Sequence, residues 1–233
     1  MSDAVSPWLT YQGTKVWRPI GTAAYTYVTS RVEIDADGAP NAYHPDDIGL
    51  DALANAGFPS GGWRSVLVQD PADLARPFVQ RGGPFAGFFV SKTTLEDTEA
   101  PATDPRRYVD ATSFPYIVFP GAFFDLEGTG VVGDIVLAKH IATGLTSSAV
   151  VADIGPRDAP LGEISVRLAT NLGGTRPNPR TGAGAPRGDI RYVVFPRSHA
   201  NPKWPMSLED LDRLSAQLLT EAGGWEVFDA LGP

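Results

Sequence analysis

Residues 149–169 read AVVADIGPRDAPLGEISVRLA, two apolar runs joined by a segment that can continue neither of them. Ala149-Val150-Val151-Ala152 ends at Asp153, and from Glu163 onward Ile164, Val166 and Leu168 alternate with Ser165 and Arg167. That alternation is the period-2 pattern of a half-buried strand and predicts one over residues 164–169. Gly155, Pro156, Pro160 and Gly162 lie between the runs, so the chain must turn and come back. Asp153 and Glu163 therefore sit at the mouths of two strands. A carboxyl pair near one concave surface suits hydrolysis of a glycosidic bond, one protonating the leaving oxygen and the other activating water. Taken alone, these residues fit equally, and by frequency better, two loop-edge carboxylates facing solvent.

The remaining runs extend the same pattern. Residues 23–34 are rich in Tyr, Thr and Val and predict a strand ending at the turn Asp35-Ala36-Asp37-Gly38. Residues 45–56 predict a short helix with Asp46 and Asp47 in its first turn and Gly57 beyond its end. Strands are expected at 63–69, 84–91, 116–119, 131–140, 147–152 and 190–195, with an exposed loop over 96–107. With 25 Gly and 21 Pro in 233 residues, frequent short strands separated by turns predict a mostly β chain with a few helices. Residues 173–188, GGTRPNPRTGAGAPRG, predict a mobile loop, whose Arg176, Arg180 and Arg187 would repel a cationic polymer if they lined a cleft. A C-terminal helix is predicted from Ser207 as N-cap, Asp210 at the capping-box position, a leucine stripe through Leu208, Leu211, Leu214, Leu218 and Leu219, and Gly223-Gly224 as the stop.

Several pieces together resemble glycoside hydrolase family 75, the chitosanases best known from fungi. They are Glu33-Ile34-Asp35-Ala36-Asp37-Gly38, the run Tyr108 to Pro120 (YVDATSFPYIVFP), Gly133-Asp134-Ile135-Val136, Asp153-Ile154-Gly155-Pro156 and Gly162-Glu163-Ile164-Ser165. They span roughly residues 30–172. The resemblance implies that Asp153 and Glu163 are the catalytic pair of an inverting, endo-acting chitosanase, and that the substrate is chitosan or a glucosamine oligomer. It also implies an α+β chain built on a six-stranded double-psi β-barrel core with a C-terminal helix, in one domain over residues 1–233. Fungal members carry cysteines and a secretion signal, and this chain departs from them in both.

Further candidates surround the pair. Asp35 and Asp37 bind substrate on this reading, although turn chemistry alone also accounts for Asp-Ala-Asp-Gly, and an EF-hand loop would need acidic positions that are missing. Asp134, at a strand entrance, is expected beside the cleft, and Asp110 is expected to cap a turn with Thr112 or Ser113. Of five Trp, Trp63 follows Ser60-Gly61-Gly62 and is the best loop-borne ring for stacking on a sugar. Glu163, with the longer side chain and the more apolar surroundings, is expected to be the acid and Asp153 the base, the opposite assignment remaining open. No metal or organic cofactor is required. His44, His140 and His199 have no metal-ligand spacing, and serine-hydrolase and nucleotide-binding motifs are absent.

A net charge of −8 argues against nucleic acid and is compatible with a cationic polymer. No run is long enough to span a membrane, and MSDAVSPWLTYQGTKVW lacks the basic and apolar regions of a signal peptide. A monomer is expected, secreted if its substrate is an extracellular polymer. Two other classes share these features: a hydrolase of another glycan such as peptidoglycan, and a non-catalytic carbohydrate-binding barrel.

Overall fold

The computed structural model describes residues 7–200 and 204–232; the first six residues of the stretch read against a secretion signal lie outside them. In chain order the strands are β1 (Leu9–Tyr11), β2 (Thr14–Trp17), β3 (Tyr25–Thr29), β4 (Glu33–Asp35), β5 (Gln69–Asp70), β6 (Asp73–Pro77), β7 (Tyr116–Pro120), β8 (Ile135–His140), β9 (Thr146–Gly155), β10 (Glu163–Ser165) and β11 (Ile190–Phe195). The α-helices are α1 (Trp63–Val66), α2 (Gly121–Phe124), α3 (Val166–Asn171), α4 (Leu208–Glu221) and α5 (Trp225–Asp229). The chain is thus mostly β with a few helices.

Nine strands form one mixed sheet in the order β1-β2-β3-β11-β8-β9-β7-β10-β4, and β5 pairs with β6 apart from it. β7 runs parallel to β9, and β10 runs parallel to β4. Among the described residues the sheet is open, and no closed barrel is found.

Both faces of the central strands are buried, which is why they read as continuous apolar runs. On one face Tyr116, Val118, Val150, Ala152, Val193 and Phe195 pack with Leu211 of α4 and Phe228 of α5. On the other, Ile117, Phe119, Ala149, Val151, Tyr192 and Val194 pack with Tyr25, Phe123 and Leu168. Burying a side chain of this size contributes roughly 1.5–3 kcal/mol, so alternating sides along β7, β9 and β11 fixes which residues of each strand remain available for a site.

β11 falls on residues 190–195, as its apolar run predicts, and Ser207 caps α4 by accepting from the Asp210 N–H at 3.0 Å. Most of the stripe packs, with Leu211 buried and Leu214, Leu218 and Leu219 lying against the core, while Leu208 is exposed. Asp110 caps its turn by accepting from the Thr112 N–H at 2.8 Å and the Ser113 hydroxyl at 2.9 Å.

Several segments differ from expectation. Residues 45–56 form turns instead of a helix, because acidic side chains take the backbone donors: Asp47 accepts from the Leu53 N–H and Asp51 from the Ala52 N–H, each at 2.7 Å. The strand expected over 164–169 stops at Ser165, whose hydroxyl accepts from the Leu168 N–H at 3.1 Å and so starts α3. Residues 63–66 are α1 rather than the start of a strand, and 84–91 form no strand, pairing instead through the isolated bridges Val79 to Phe89 and Leu67 to Ser91 and through the Phe89 N–H bond to the Tyr43 carbonyl at 3.0 Å.

Candidate active site

A cavity of about 800 Å³ opens where β4 and β9 end and β10 begins, a size in the usual range for small-molecule sites. Its position follows from strand register. Val118 of β7 is paired on one side with Asp153 of β9 and on the other with Glu163 of β10, so the two carboxyls occupy one row of the sheet. With strands about 4.8 Å apart, their Cα atoms are separated by roughly 9.6 Å.

A bulge creates that row. Ile117 pairs with Val151, but the next residue, Val118, pairs with Asp153, leaving Ala152 as an extra residue on β9. Val118 and Ala152 belong to one core face, and simple alternation would send Asp153 to the other. The extra residue turns Asp153 back toward the face of Val118, the re-aiming that bulges perform beside active sites. Glu163 is also paired with Glu33, and Ser165 with Asp35, which brings Asp35 to the same face from β4.

Asp-Ala-Asp-Gly is a turn and part of the site at once. Asp35 accepts from the Asp37 N–H at 2.8 Å, closing the turn. Gly38 leaves it at φ +75°, where a β-carbon would stand 2.1 Å from the Val109 carbonyl oxygen, so only glycine fits. Tyr116 places its hydroxyl 3.0 Å from Asp35 Oδ2 and 2.9 Å from the Asp37 carbonyl oxygen. Asp37 Oδ1 accepts from the hydroxyls of Tyr43, at 2.9 Å, and Ser91, at 3.0 Å.

Hydrogen bonding separates the two expected catalytic residues. Asp153 Oδ1 accepts from the Thr94 N–H at 3.0 Å, the Ile154 N–H at 2.8 Å and the Thr94 hydroxyl. Among the described residues, no group donates to the Glu163 carboxyl. Burial, and then the charge of Asp35, push Glu163 up to about 8, with Arg31 pulling the other way. Burial and the charge of Asp153 push Asp35 up to about 7, offset in part by the Asp37 N–H and the Tyr116 hydroxyl. Burial also raises Asp37, with the charge of Asp35 next in weight. It raises Asp153 as well, against the hydrogen bonds from Thr94 and Ile154. These shifts favour a proton on Glu163 near neutral pH, while the three hydrogen bonds make Asp153 the carboxyl best equipped to carry charge.

Four of the six candidates, Asp35, Asp37, Asp153 and Glu163, therefore line one cavity. Two do not. Trp63 is 3 % exposed, packed in the core at the start of α1, and has no free face for a sugar. Asp134 is fully buried away from the cavity, accepting from the Val131 N–H at 2.7 Å and the His199 N–H at 3.0 Å; it shapes the entry to β8. Arg180 is held against Asp47 and the Gly49 carbonyl, and the segment 173–188 carries its own backbone bonds, Thr175 N–H to Gly184 and Asn178 N–H to Ala183, each 2.8 Å.

Sequence reasoning missed Tyr43, Asp51, Thr94 and Tyr116. Only Tyr116 carried a signal, lying inside a family-like run. Asp51 lines the cavity and receives the Asn55 side-chain amide at 2.9 Å.

Asp35, Asp37 and Asp153 bring carboxyl oxygens within 4.8 Å of one another, a spacing that suits a small cation, an ammonium included. Calcium takes six to eight oxygen ligands, whereas these carboxyls face the N–H groups of Asp37, Thr94 and Ile154. Compared with known proteins, the chain matches no family model and no curated protein. No helix among the described residues is long and apolar enough to cross a membrane.

Proposed function

We propose that this chain is an endo-acting glycoside hydrolase that cleaves the β-1,4 bonds of chitosan with inversion, Glu163 serving as general acid and Asp153 as general base. The observation that carries the reading is the shared row across Val118, in which Glu163, whose carboxyl receives no hydrogen bond from the described residues, lies opposite Asp153, which accepts three. Cα atoms roughly 9.6 Å apart on one face let carboxyl groups reach the approximately 6.5–9.5 Å that an inverting enzyme needs to seat a water. Glu163 protonates the leaving oxygen while Asp153 takes a proton from that water, which attacks the anomeric carbon from the opposite face.

The charge of the cavity supports a cationic sugar. Glu33, Asp35, Asp37, Asp51, Asp153 and Glu163 line it, against Arg31 as the one lining Lys or Arg among the described residues. Even with Glu163, Asp35 and Asp37 protonated, Glu33, Asp51 and Asp153 outnumber Arg31, so the balance favours ammonium groups. The same reading carries a double-psi β-barrel as the parent architecture, supported by the parallel pairs β7–β9 and β10–β4 inside an otherwise antiparallel sheet.

Incubation with glucosamine hexamer, followed by mass spectrometry and anomeric NMR, tests the proposal. Shorter oligomers released first as the inverted anomer are the expected result. An unchanged hexamer overturns it, and parallel incubations with peptidoglycan and a binding titration then separate another hydrolase from a sugar-binding module.

A further inference from the structure

Resting on the reading of Glu163 as general acid, we propose that Asp35 is a positioning residue of this site, a third carboxyl that never touches the scissile bond and whose charge sets when Glu163 gives up its proton. The Tyr116 hydroxyl carries the argument. It lies within hydrogen-bond distance of two oxygens, Asp35 Oδ2 at 3.0 Å and the Asp37 carbonyl at 2.9 Å, but owns one proton. A carbonyl oxygen only accepts, so the two contacts are separate two-centre hydrogen bonds only when Asp35 supplies the second proton; with Asp35 ionised, the single Tyr116 hydrogen is shared between the acceptors or given to one of them.

Two arrangements follow. In the neutral form, Asp35 Oδ2–H donates to the Tyr116 oxygen, and Tyr116 O–H donates to the Asp37 carbonyl. In the ionised form, Asp35 has released its proton to solvent through the cavity it lines, and Tyr116 turns its O–H to Asp35 Oδ2. No bond breaks other than the carboxyl O–H, and Tyr116 keeps its proton throughout. Tyr116 is fully buried on β7, so it can rotate its hydroxyl but has nowhere else to place it.

Asp35 lies on β4 two register positions along from the row of Glu163, on the same face and in the same cavity, with a carboxyl oxygen within 4.8 Å of one of Asp153. It enters from β4, beside β10 with Glu163, and Asp153 faces it from β9. The other groups around it are Asp37 on its own turn, Tyr43 and Asp51 from the segment beyond, and Tyr116 below. Two cations stand further out, Arg31 near Glu163 and Lys92 near Asp153, the latter bonded to the Arg64 carbonyl. Burial and the charge of Asp153 favour the neutral form of Asp35 until about pH 7. Above that, its charge opposes ionisation of Glu163 and extends the range over which the acid stays loaded.

The test is a ¹³C-carboxyl NMR titration of Glu163, assigned with Glu163→Gln, in the wild-type chain, Asp35→Asn and Tyr116→Phe. Asparagine mimics the neutral carboxyl, so the Glu163 midpoint should fall by about one pH unit. Tyr116→Phe removes the donor that stabilises ionised Asp35, so it should shift Glu163 in the same direction by less. It also serves as the deciding variant if Asp35→Asn fails to fold. The alkaline limb of kcat/KM on glucosamine hexamer should move with the NMR midpoint. An unmoved midpoint, or one that rises, overturns the proposal. A shifted midpoint in a chain that leaves the hexamer intact would preserve the coupling and remove the chitosanase reading.

Discussion

Asp153 and Glu163 flank Val118 in a single row of the sheet, and they do so because Ala152 is an extra residue on β9. The juxtaposition of the two carboxyls is thus a property of strand register. Asp153→Asn and Glu163→Gln keep side-chain volume and remove only the ionisable group. Each is expected to lower kcat on glucosamine hexamer by about a hundred- to ten-thousandfold, with circular dichroism and melting temperature close to those of the parent. Full activity in either variant would sink the assignment.

The pH profile of kcat/KM should be bell-shaped. With the proposed roles, activity requires Asp153 ionised and Glu163 protonated, so it should fall on the acid side as Asp153 gains a proton and on the alkaline side as Glu163 loses one at about 8. Because burial raises Asp153, the acid limb should lie above the usual Asp range. A profile still rising through pH 9 would contradict the role of Glu163.

Stability should run against pH over the same interval. Asp35 and Glu163 bind protons more tightly in the folded chain, at about 7 and about 8, than their ordinary 3.8 and 4.5. Between those limits the native state holds more protons than the unfolded one. The resulting stabilisation is complete near pH 4 and drains away as pH rises through 7 and 8. Asp47, Asp104 and Asp210, held low mainly by a backbone N–H or arginine partners, act in the opposite sense only in stronger acid. Melting temperature should therefore decline from pH 5 to pH 8, and Glu163→Gln should flatten that decline. An equal slope in both chains would refute the proton-holding role.

How far the sequence carries depends on whether the signal is local. The apolar run of β11, the Ser207 cap and the Asp110 turn are set within a few residues and were legible at their positions. Asp153 and Glu163 were legible as a pair, but the device that aligns them was not, because the bulge at Ala152 has neither glycine nor proline to mark it and arises from pairing with β7. Trp63 looked free after two glycines, yet its ring is drawn into the core. The alternation beyond Glu163 suggested a long strand, whereas Ser165 sits where its hydroxyl can cap a helix. Tyr116 and Asp35 are 81 positions apart, and their contact is visible only once the chain is folded.

Gly155 offers a separation of geometry from charge. A β-carbon there would stand 3.1 Å from Glu163 Oε2 and 3.1 Å from Val118 Cγ1, tighter than ordinary contact. The carboxyl is the flexible end of its side chain, so it yields before the strands do, and Glu163 shifts by a few tenths of an ångström or turns to another rotamer. Misplacing a proton donor by such amounts weakens transition-state alignment without unfolding the chain. Gly155→Ala is therefore expected to lower kcat roughly ten- to hundredfold while KM and melting temperature stay near wild type. A fall in melting temperature that accounts for the lost activity would instead make Gly155 a packing requirement of β9, and an unchanged kcat would mean that Glu163 does not work from the position it occupies here.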